Sequence, residues 1–373
     1  MKRFMRKVLF SATVDSHILA FHLPYLKYFK EQGYEVHVAT NGDLEIPYCD
    51  KKHKISFERN PIKINNLKAI KQLKKVIDDE KFDIIHTHTP MGSVVTRLAA
   101  KKARKKYNTR VIYTAHGFHF YKGASKINWL VFYPVEKYLA KYTDDQITIN
   151  KEDYELATKK FKTKVHYVPG VGIDPDKFDF KMSDKEKDEL RKSLGLKKDD
   201  FVMIYPAEIS KRKNQEWLIN ILNELLTENK NIHLLLPGRD NLNNKIGMLI
   251  KSLNLESQIH LLGFRKDIPS LLKISDLAVS SSRQEGLPVN IMEAMYVGLP
   301  IIVTDCRGNS DLIENENGFV INQGDSENFI NSIKKIQSDN KLVIKMGKLN
   351  KKFIKNYLLD DVLEEYKKIY ECK

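Results

Sequence analysis

The stretch Glu285-Gly286-Leu287-Pro288-Val289-Asn290-Ile291-Met292-Glu293-Ala294-Met295-Tyr296-Val297-Gly298-Leu299-Pro300 is preceded by Asp276-Leu277-Ala278-Val279-Ser280-Ser281 and followed by Ile301-Ile302-Val303-Thr304. Both flanking runs are short and apolar, as buried strands are. In one unbroken helix the two glutamates, spaced E-x7-E, would share a face as solvated charges. Gly286 and Pro288 argue against that. Proline is tolerated at the first helical position, where its missing N–H has no partner, so the helix is expected to begin near Pro288 and stop at Gly298. Glu285 then lies on the loop before the helix and Glu293 about one and a half turns into it. The result is a β-loop-α-β unit whose loop offers a carboxylate and free backbone N–H groups at a helix N-terminus. Such a terminus favours an anion, and a carboxylate binds paired hydroxyls. A phosphate-linked sugar satisfies both. A bare E-x7-E could equally cap and solubilise a surface helix.

The same alternation runs along the whole chain. Val8–Thr13, Glu35–Thr40, 82–87, Arg110–Ala115, 146–149 and 164–168 read as strands in the first half, with amphipathic helices such as 66–79 and 91–106 between them. The second half offers 201–206, Ile232–Pro237, 259–262, 276–281, Ile301–Thr304 and 318–321. Two β/α series with apolar strands imply an α/β protein of two doubly wound, Rossmann-like domains, with ligands outside the carboxyl ends of the strands, in the cleft that the domains face. At 373 residues the chain suits two domains, each with its own core. The most Gly/Pro-dense stretch, Pro169-Gly170-Val171-Gly172-Ile173-Asp174-Pro175, marks the boundary. Domains are therefore expected at 1–170 and 176–348.

Punctuated by E-G-L-P and E-A-M-x-x-G-x-P, the opening stretch resembles the donor-site signature of retaining glycosyltransferases of family 4, which have the GT-B fold. The resemblance covers nearly the whole chain and is most specific over residues 201–320. It implies that Glu285 faces the donor sugar, that the backbone of Gly286, Leu287 and Pro288 touches sugar and phosphate, and that Glu293 holds the ribose hydroxyls. It also implies that a final helix, about 349–373, crosses back onto the N-terminal domain.

Ser210-Lys211-Arg212-Lys213-Asn214 stands where a strand turns into a helix, a place where cations clamp a pyrophosphate. An exposed basic loop is the plain alternative. The family pattern here is G-R-x-x-x-x-K-G. Lys213 matches its lysine, whereas Glu208 occupies the arginine position, leaving Arg212 as the candidate compensating cation. A similar S-K-R-K-N-Q run occurs in capsule and exopolysaccharide glycosyltransferases. Gly263-Phe264-Arg265 resembles the family's L-G-x-x-x-D, near which the nucleotide base binds; Phe264 reads equally well as a core-edge aromatic. His116, in Thr114-Ala115-His116-Gly117-Phe118, matches a T-x-H-G-F context in which a histidine faces the donor sugar, though a turn histidine bonded to backbone would look the same. His86 and His88 resemble the family's D-I-I-H-x-H and are read as alternating sides of their strand. Asp174-Pro175-Asp176 reads as turn chemistry rather than a metal-diphosphate pair. No metal or other cofactor is expected; the UDP-sugar is a co-substrate, its leaving phosphate neutralised by cations and backbone dipoles.

Charge is uneven. Residues 1–175 hold 32 basic and 18 acidic side chains, a balance of +14, while the rest hold 31 and 30. The N-terminal half therefore meets something anionic. Nucleic acid, a phosphorylated small molecule or an anionic membrane surface would each explain this, and nucleic acid is the weakest of the three, for want of zinc spacing, a recognition-helix pattern or RNA-binding aromatics. The run Lys101-Lys102-Ala103-Arg104-Lys105-Lys106, expected to end a helix, could attract anionic lipid or simply complement the helix dipole. The aromatic stretch Ile127–Val135, flanked by lysines, could lie in a lipid interface or belong to the core. His17, Trp129 and Phe132 are placed on the acceptor or membrane side. Three cysteines, Cys49, Cys306 and Cys372, without short spacing fit a reducing compartment. No run approaches the ~20 apolar residues of a membrane span, and the basic start carries too short an apolar run for a signal peptide.

These readings converge on a nucleotide-sugar transferase, peripheral on the cytoplasmic face of the membrane, with a lipid-linked (polyprenyl diphosphate) saccharide as acceptor. Rivals are a transferase with a small soluble acceptor, a UDP-sugar epimerase of the same fold, and a non-enzymatic anion-binding protein. A glycosidase would leave the phosphate-binding features without a role.

Overall fold

The computed structural model describes residues 5–314 and 316–372. Its chain forms two compact units, one running to Val171 and including the segment from Leu363 onward, the other Gly172–Val362.

The first unit is built on seven strands, β1 (Lys7–Val14), β2 (Glu35–Asn41), β3 (Lys51–Lys54), β4 (Ile84–Thr87), β5 (Arg110–Ala115), β6 (Asp145–Thr148) and β7 (Lys164–Tyr167), in the order β3-β2-β1-β4-β5-β6-β7. The second holds β8 (Phe201–Ile204), β9 (Ile232–Pro237), β10 (Ile259–Gly263), β11 (Leu277–Ser280), β12 (Ile301–Thr304) and β13 (Phe319–Ile321), in the order β10-β9-β8-β11-β12-β13. Every pairing is parallel. Strands covered on both faces by helices are apolar throughout, and Val8, Leu9, Phe10, Leu234, Leu235, Ile302 and Val303 are fully buried. In each sheet the order reverses once, between β1 and β4 and between β8 and β11, and ligands of such sheets bind at that reversal.

Three local differences from the sequence reading have physical causes. Strand β3 is Lys51-Lys52-His53-Lys54, with no apolar residue; it exists because its backbone pairs with β2 at the sheet edge, where lysines also discourage further pairing. The helix expected over 91–106 ends at Ala100 and resumes as one turn, Ala103–Lys106, so the basic run spans a break. The long C-terminal helix is likewise interrupted: Asn340–Phe353 passes into a short turn, Ile354–Tyr357, and Leu359–Glu371 begins anew after Leu358. There the N–H of Ile173 bonds the Tyr357 carbonyl (2.9 Å) and the N–H of Leu359 bonds the Ile173 carbonyl (2.8 Å), which draws the chain out of helix. Gly172 makes this approach possible: at φ +81°, a Cβ would lie 2.6 Å from the Leu359 Cα.

From Leu363 the last helix packs on the first sheet. Tyr366 meets Tyr25 edge-on, ring centroids 4.7 Å apart, Tyr370 meets Phe29 at 4.8 Å, and Arg110 donates to the carbonyls of Ile369 and Tyr370 at the helix end. Helix Lys126–Leu139 is fixed differently. Glu136 accepts a hydrogen bond from the fully buried Arg97 at 2.9 Å, and Trp129, Phe132 and Tyr133 pack on the cluster of Phe118, Phe120 and Phe161. Trp129 and Phe132 thus face inward. The outward positions are Ile127, Leu130, Val131, Val135 and Tyr138, with Leu130 77 % exposed. No helix among the described residues is long and apolar enough to cross a membrane.

Candidate active site

The expected helix is present as Val289–Val297, with Pro288 at its N-cap and Gly298, at φ +91°, closing it in the left-handed conformation. Its N-terminus follows β11 and lies next to the loop that follows β8. Those two loops are stitched together: the N–H of Arg283 donates to the Arg212 carbonyl (2.9 Å), Ser281 Oγ to the Lys213 carbonyl (2.9 Å), and the Tyr205 hydroxyl meets Ser282 Oγ at 2.6 Å.

Glu285, 6 % exposed, sits where they join. Its carboxylate accepts from Lys213 Nζ (2.5 Å), Arg212 Nη1 (3.0 Å) and Ser282 Oγ (2.5 Å). Burial pushes its pKa up, but the charges of Lys213 and Arg212 and the bonds from Lys213 and Ser282 outweigh this and hold it below the usual carboxylate range. Arg212 also donates to the Gln284 carbonyl (3.1 Å) and, through Nη2, to Glu208 (3.2 Å). The acid at the family's arginine position therefore holds Arg212 from one side while Glu285 holds it from the other.

Glu293 has the opposite surroundings. It is partly buried and makes no hydrogen bond or ion pair among the described residues, and burial raises its pKa to about 7. Phe264 lies at the end of β10, 62 % exposed, with the guanidinium carbon of Arg239 4.8 Å from its ring centre. It is thus a surface aromatic rather than part of the core edge. Asp174 caps the short turn Pro175–Lys177 by accepting from the Asp176 N–H at 3.2 Å.

Three contributors were not read from the sequence. Ser282 bonds the Glu285 carboxylate, Arg307 Nε donates to the Glu285 carbonyl (3.0 Å), and Gly308, at φ +83°, lets its backbone approach Gly286, where a Cβ would meet the Gly286 carbonyl oxygen at 2.4 Å. The Arg-Gly pair after an apolar strand was the available signal.

In the first unit, His116 follows β5 and His88 follows β4, while His17 and His22 come from helix Asp15–Phe21 and its C-cap. His116 Nε2 lies 3.4 Å from His88 Nδ1, and His17 Nε2 lies 3.2 Å from His22 Nε2. Burial holds all four far on the neutral side, His17 at about 4. Neutral His116 can give or take a hydrogen bond but brings no charge. His86 is a core residue, bonded to the Tyr370 hydroxyl and to Thr114 Oγ1, each at 2.8 Å. The expectation that His86 and His88 alternate sides is corrected: residues two apart on a strand share a face, and their rings lie 4.1 Å apart.

Two wholly parallel sheets, the second with the buried Lys213 and the half-exposed Arg212 on the Glu285 carboxylate just before the helix after β11, have the architecture expected of the GT-B class of nucleotide-sugar-dependent glycosyltransferases. Residues 186–356 match the family model described as "Glycosyl transferases group 1", and residues 7–151 the one described as "Glycosyl transferase 4-like". The chain is 42 % identical to the putative glycosyltransferase EpsD of Bacillus subtilis over 98 % of its length and 97 % of the relative's. It is 30 % identical to the UDP-Gal:alpha-D-GlcNAc-diphosphoundecaprenol alpha-1,3-galactosyltransferase of Escherichia coli, over 84 % of this chain and 81 % of that one. Among solved structures, Anabaena HepE in complex with UDP and glucose superposes with a TM-score of 0.79 at 21 % identity, covering 98 % of this chain and 99 % of that one, a likeness of fold. The chain belongs to this glycosyltransferase family, of the family 4 type.

Proposed function

We propose that the protein transfers a hexose or N-acetylhexosamine from a UDP-sugar to a lipid-linked, polyprenyl diphosphate saccharide, with retention of anomeric configuration, in the assembly of a capsule or exopolysaccharide. The observation that carries this reading is the convergence of Lys213 and Arg212 on Glu285 at the N-terminus of helix Val289–Val297. A diphosphate arriving there meets two cations already in place together with a helix dipole, so the charge that develops on the leaving phosphate is stabilised without reorganisation. Arg212 stands in for the missing family arginine.

Within this reading Glu285 takes a hydroxyl of the donor sugar and the backbone of Gly286, Leu287 and Pro288 lines sugar and phosphate. Glu293, whose carboxylate has no hydrogen-bond or ion-pair partner among the described residues, takes the ribose hydroxyls, and Phe264 supports the base. His116 offers an uncharged hydrogen bond to a sugar hydroxyl. The departing phosphate oxygen accepts the acceptor's proton, so no protein base is assigned, and the cations serve where a divalent ion otherwise would.

Support for a lipid-linked acceptor comes from the name of the Escherichia coli relative and from the surface of the first unit. The outward apolar stripe of helix Lys126–Leu139 ends at Tyr138, which contacts Tyr142; Lys101 lies 4.7 Å over the Tyr142 ring, and the exposed Lys102, Lys105 and Lys106 follow. Apolar side chains contribute about 1.5–3 kcal/mol each on full burial and cations about 1 kcal/mol each near anionic lipid. Together they suit peripheral attachment at the inner face of the cell membrane.

The test is nucleotide release from a panel of UDP- and GDP-sugars by purified protein, with and without a detergent extract of bacterial lipid-linked saccharides, and with Glu285→Ala as control. Release from one donor that requires both extract and Glu285 is the expected result. Turnover without extract would replace this reading by the soluble-acceptor or epimerase one.

A further inference from the structure

Four histidines of the first unit meet at the reversal of its sheet, where β1 lies beside β4 and β4 beside β5. One nitrogen from each of His17, His22, His88 and His116 lies within 4.8 Å of all the others. The two measured close pairs, 3.2 Å and 3.4 Å, match the spacing of about 3.3–3.4 Å between ligands that a tetrahedral ion holds at 2.0–2.1 Å. Five of the six ring-centre separations run from 4.8 to 6.0 Å, against about 5 Å for four imidazoles around one such ion. Only His22 and His88, stacked at 3.7 Å, must move apart.

The hydrogen bonding of these rings is incomplete. His22 Nδ1 and His88 Nε2, the ring nitrogens not used in the two close pairs, are buried with no partner among the described residues, so the close contacts of His22 Nε2 and His88 Nδ1 are with the other two rings of the cluster. His86 next to them shows the satisfied alternative, with both ring nitrogens bonded. So does the other group with metal-ligand chemistry, His37, His53 and Glu80: His37 bonds His53 (2.9 Å) and Glu35 (2.8 Å), and Glu80 pairs with Lys7 and Lys51. His17 and His116 are only partly buried, which leaves an ion a way in.

We propose that His17, His22, His88 and His116 form a binding site for a divalent transition-metal ion, with Zn²⁺ the best match to four imidazoles in tetrahedral array. The ion has no part in the departure of phosphate. Because it engages His116, it competes with the sugar for that side chain and suppresses transfer; this consequence, unlike the site, rests on the function proposed above.

Full-length protein stripped of metal is titrated with Zn²⁺ against a chromophoric chelator, and separately with Co²⁺, whose visible absorption reports tetrahedral coordination. One equivalent bound, with the intense bands of tetrahedral cobalt, is expected. Affinity should fall at least about tenfold in His17→Gln and in His88→Gln and be unchanged in His53→Ala. His17 is the decisive position, because it is partly exposed and its replacement spares the core; thermal unfolding of each variant checks this. No bound equivalent, an octahedral cobalt spectrum, or full affinity in a folded His17→Gln would overturn the site. Zinc bound as expected without slowing donor turnover would leave the site standing and remove the assigned role of His116.

Discussion

Lys213 Nζ lies 2.5 Å from Glu285 Oε1, and both side chains are buried. The two residues come from loops after different strands, β8 and β11, which are neighbours in the sheet although a long stretch of chain separates them. A buried pair contributes little net stability, but losing one partner strands the other. Here the stranded partner would be the buried Lys213, while the half-exposed Arg212 keeps Glu208 and the Gln284 carbonyl, so Glu285 serves the fold as well as the chemistry proposed for it.

Glu285→Ala is therefore expected to lower stability by about 3–5 kcal/mol as well as to reduce turnover by orders of magnitude. Lys213→Ala should cost less stability, since Glu285 keeps Arg212 and Ser282, and should chiefly raise KM for the nucleotide sugar. Denaturant unfolding and steady-state kinetics on both variants separate the two effects. Because the folded pKa of Glu285 lies below its ordinary 4.5, the stability it contributes is present above that value and is lost as pH falls below it. Full turnover by Glu285→Ala would remove the catalytic assignment.

Glu293 gives the opposite sign. Its pKa is raised by burial from 4.5 to about 7, so the stability linked to its protonation is complete below pH 4.5 and is lost as pH rises through 7. Glu293→Gln should be more stable than the parent at pH 8.5, by on the order of 1–3 kcal/mol, and about equal to it at pH 4.5. The same substitution should weaken donor binding at pH 8, where the parent offers ribose a carboxylate. Unfolding and nucleotide titration at the two pH values check both. A Glu293→Gln protein that gains no stability at high pH would show that the carboxylate is solvated.

The strands and the donor helix were legible because their signals are local. Short, mostly apolar runs gave Ile232–Pro237 and Ile301–Thr304 to the residue, and Pro288 and Gly298 bounded a helix through their own backbone limits. What depended on distant partners was not. Strand β3 has no apolar residue and owes its conformation to β2; the helix break at Leu358 is imposed by Ile173; Ser282, Arg307 and Gly308 gain their positions only when β12 pairs with β11. The aromatic helix was legible as amphipathic but not as to which side faces out. Trp129 and Phe132 were placed on the acceptor or membrane side, whereas packing on Phe118, Phe120 and Phe161 turns them inward.

Glu208 is the chain's own departure from the family pattern, and its carboxylate accepts from Arg212 (3.2 Å) and Asn241 (2.9 Å). The pair is exposed and is worth less than about 1 kcal/mol, so Glu208→Gln should leave stability unchanged. Removing a negative charge next to the proposed diphosphate position should lower KM for the donor a few-fold. An increase in KM would mean instead that Glu208 holds Arg212 in its working position.

The outward stripe of helix Lys126–Leu139 makes the attachment proposal testable without a substrate. Leu130 and Val131 are exposed and make no contribution to the cluster that holds the helix down, whereas the inward face carries Glu136, Trp129 and Tyr133. Leu130→Asp combined with Val131→Asp should therefore fold normally and yet lose binding to vesicles containing anionic phospholipid, by about a hundredfold if each side chain contributes roughly 1.5 kcal/mol in the interface. Replacing Lys102 and Lys105 by glutamine should weaken binding less, at about 1 kcal/mol per charge, and in a manner that added salt mimics. Co-sedimentation with anionic and neutral vesicles at two salt concentrations distinguishes the contributions: an apolar deficit persists at high salt, an electrostatic one does not. Equal sedimentation of the parent and the double aspartate variant would remove this helix from the membrane and leave the basic run as a surface for another anion.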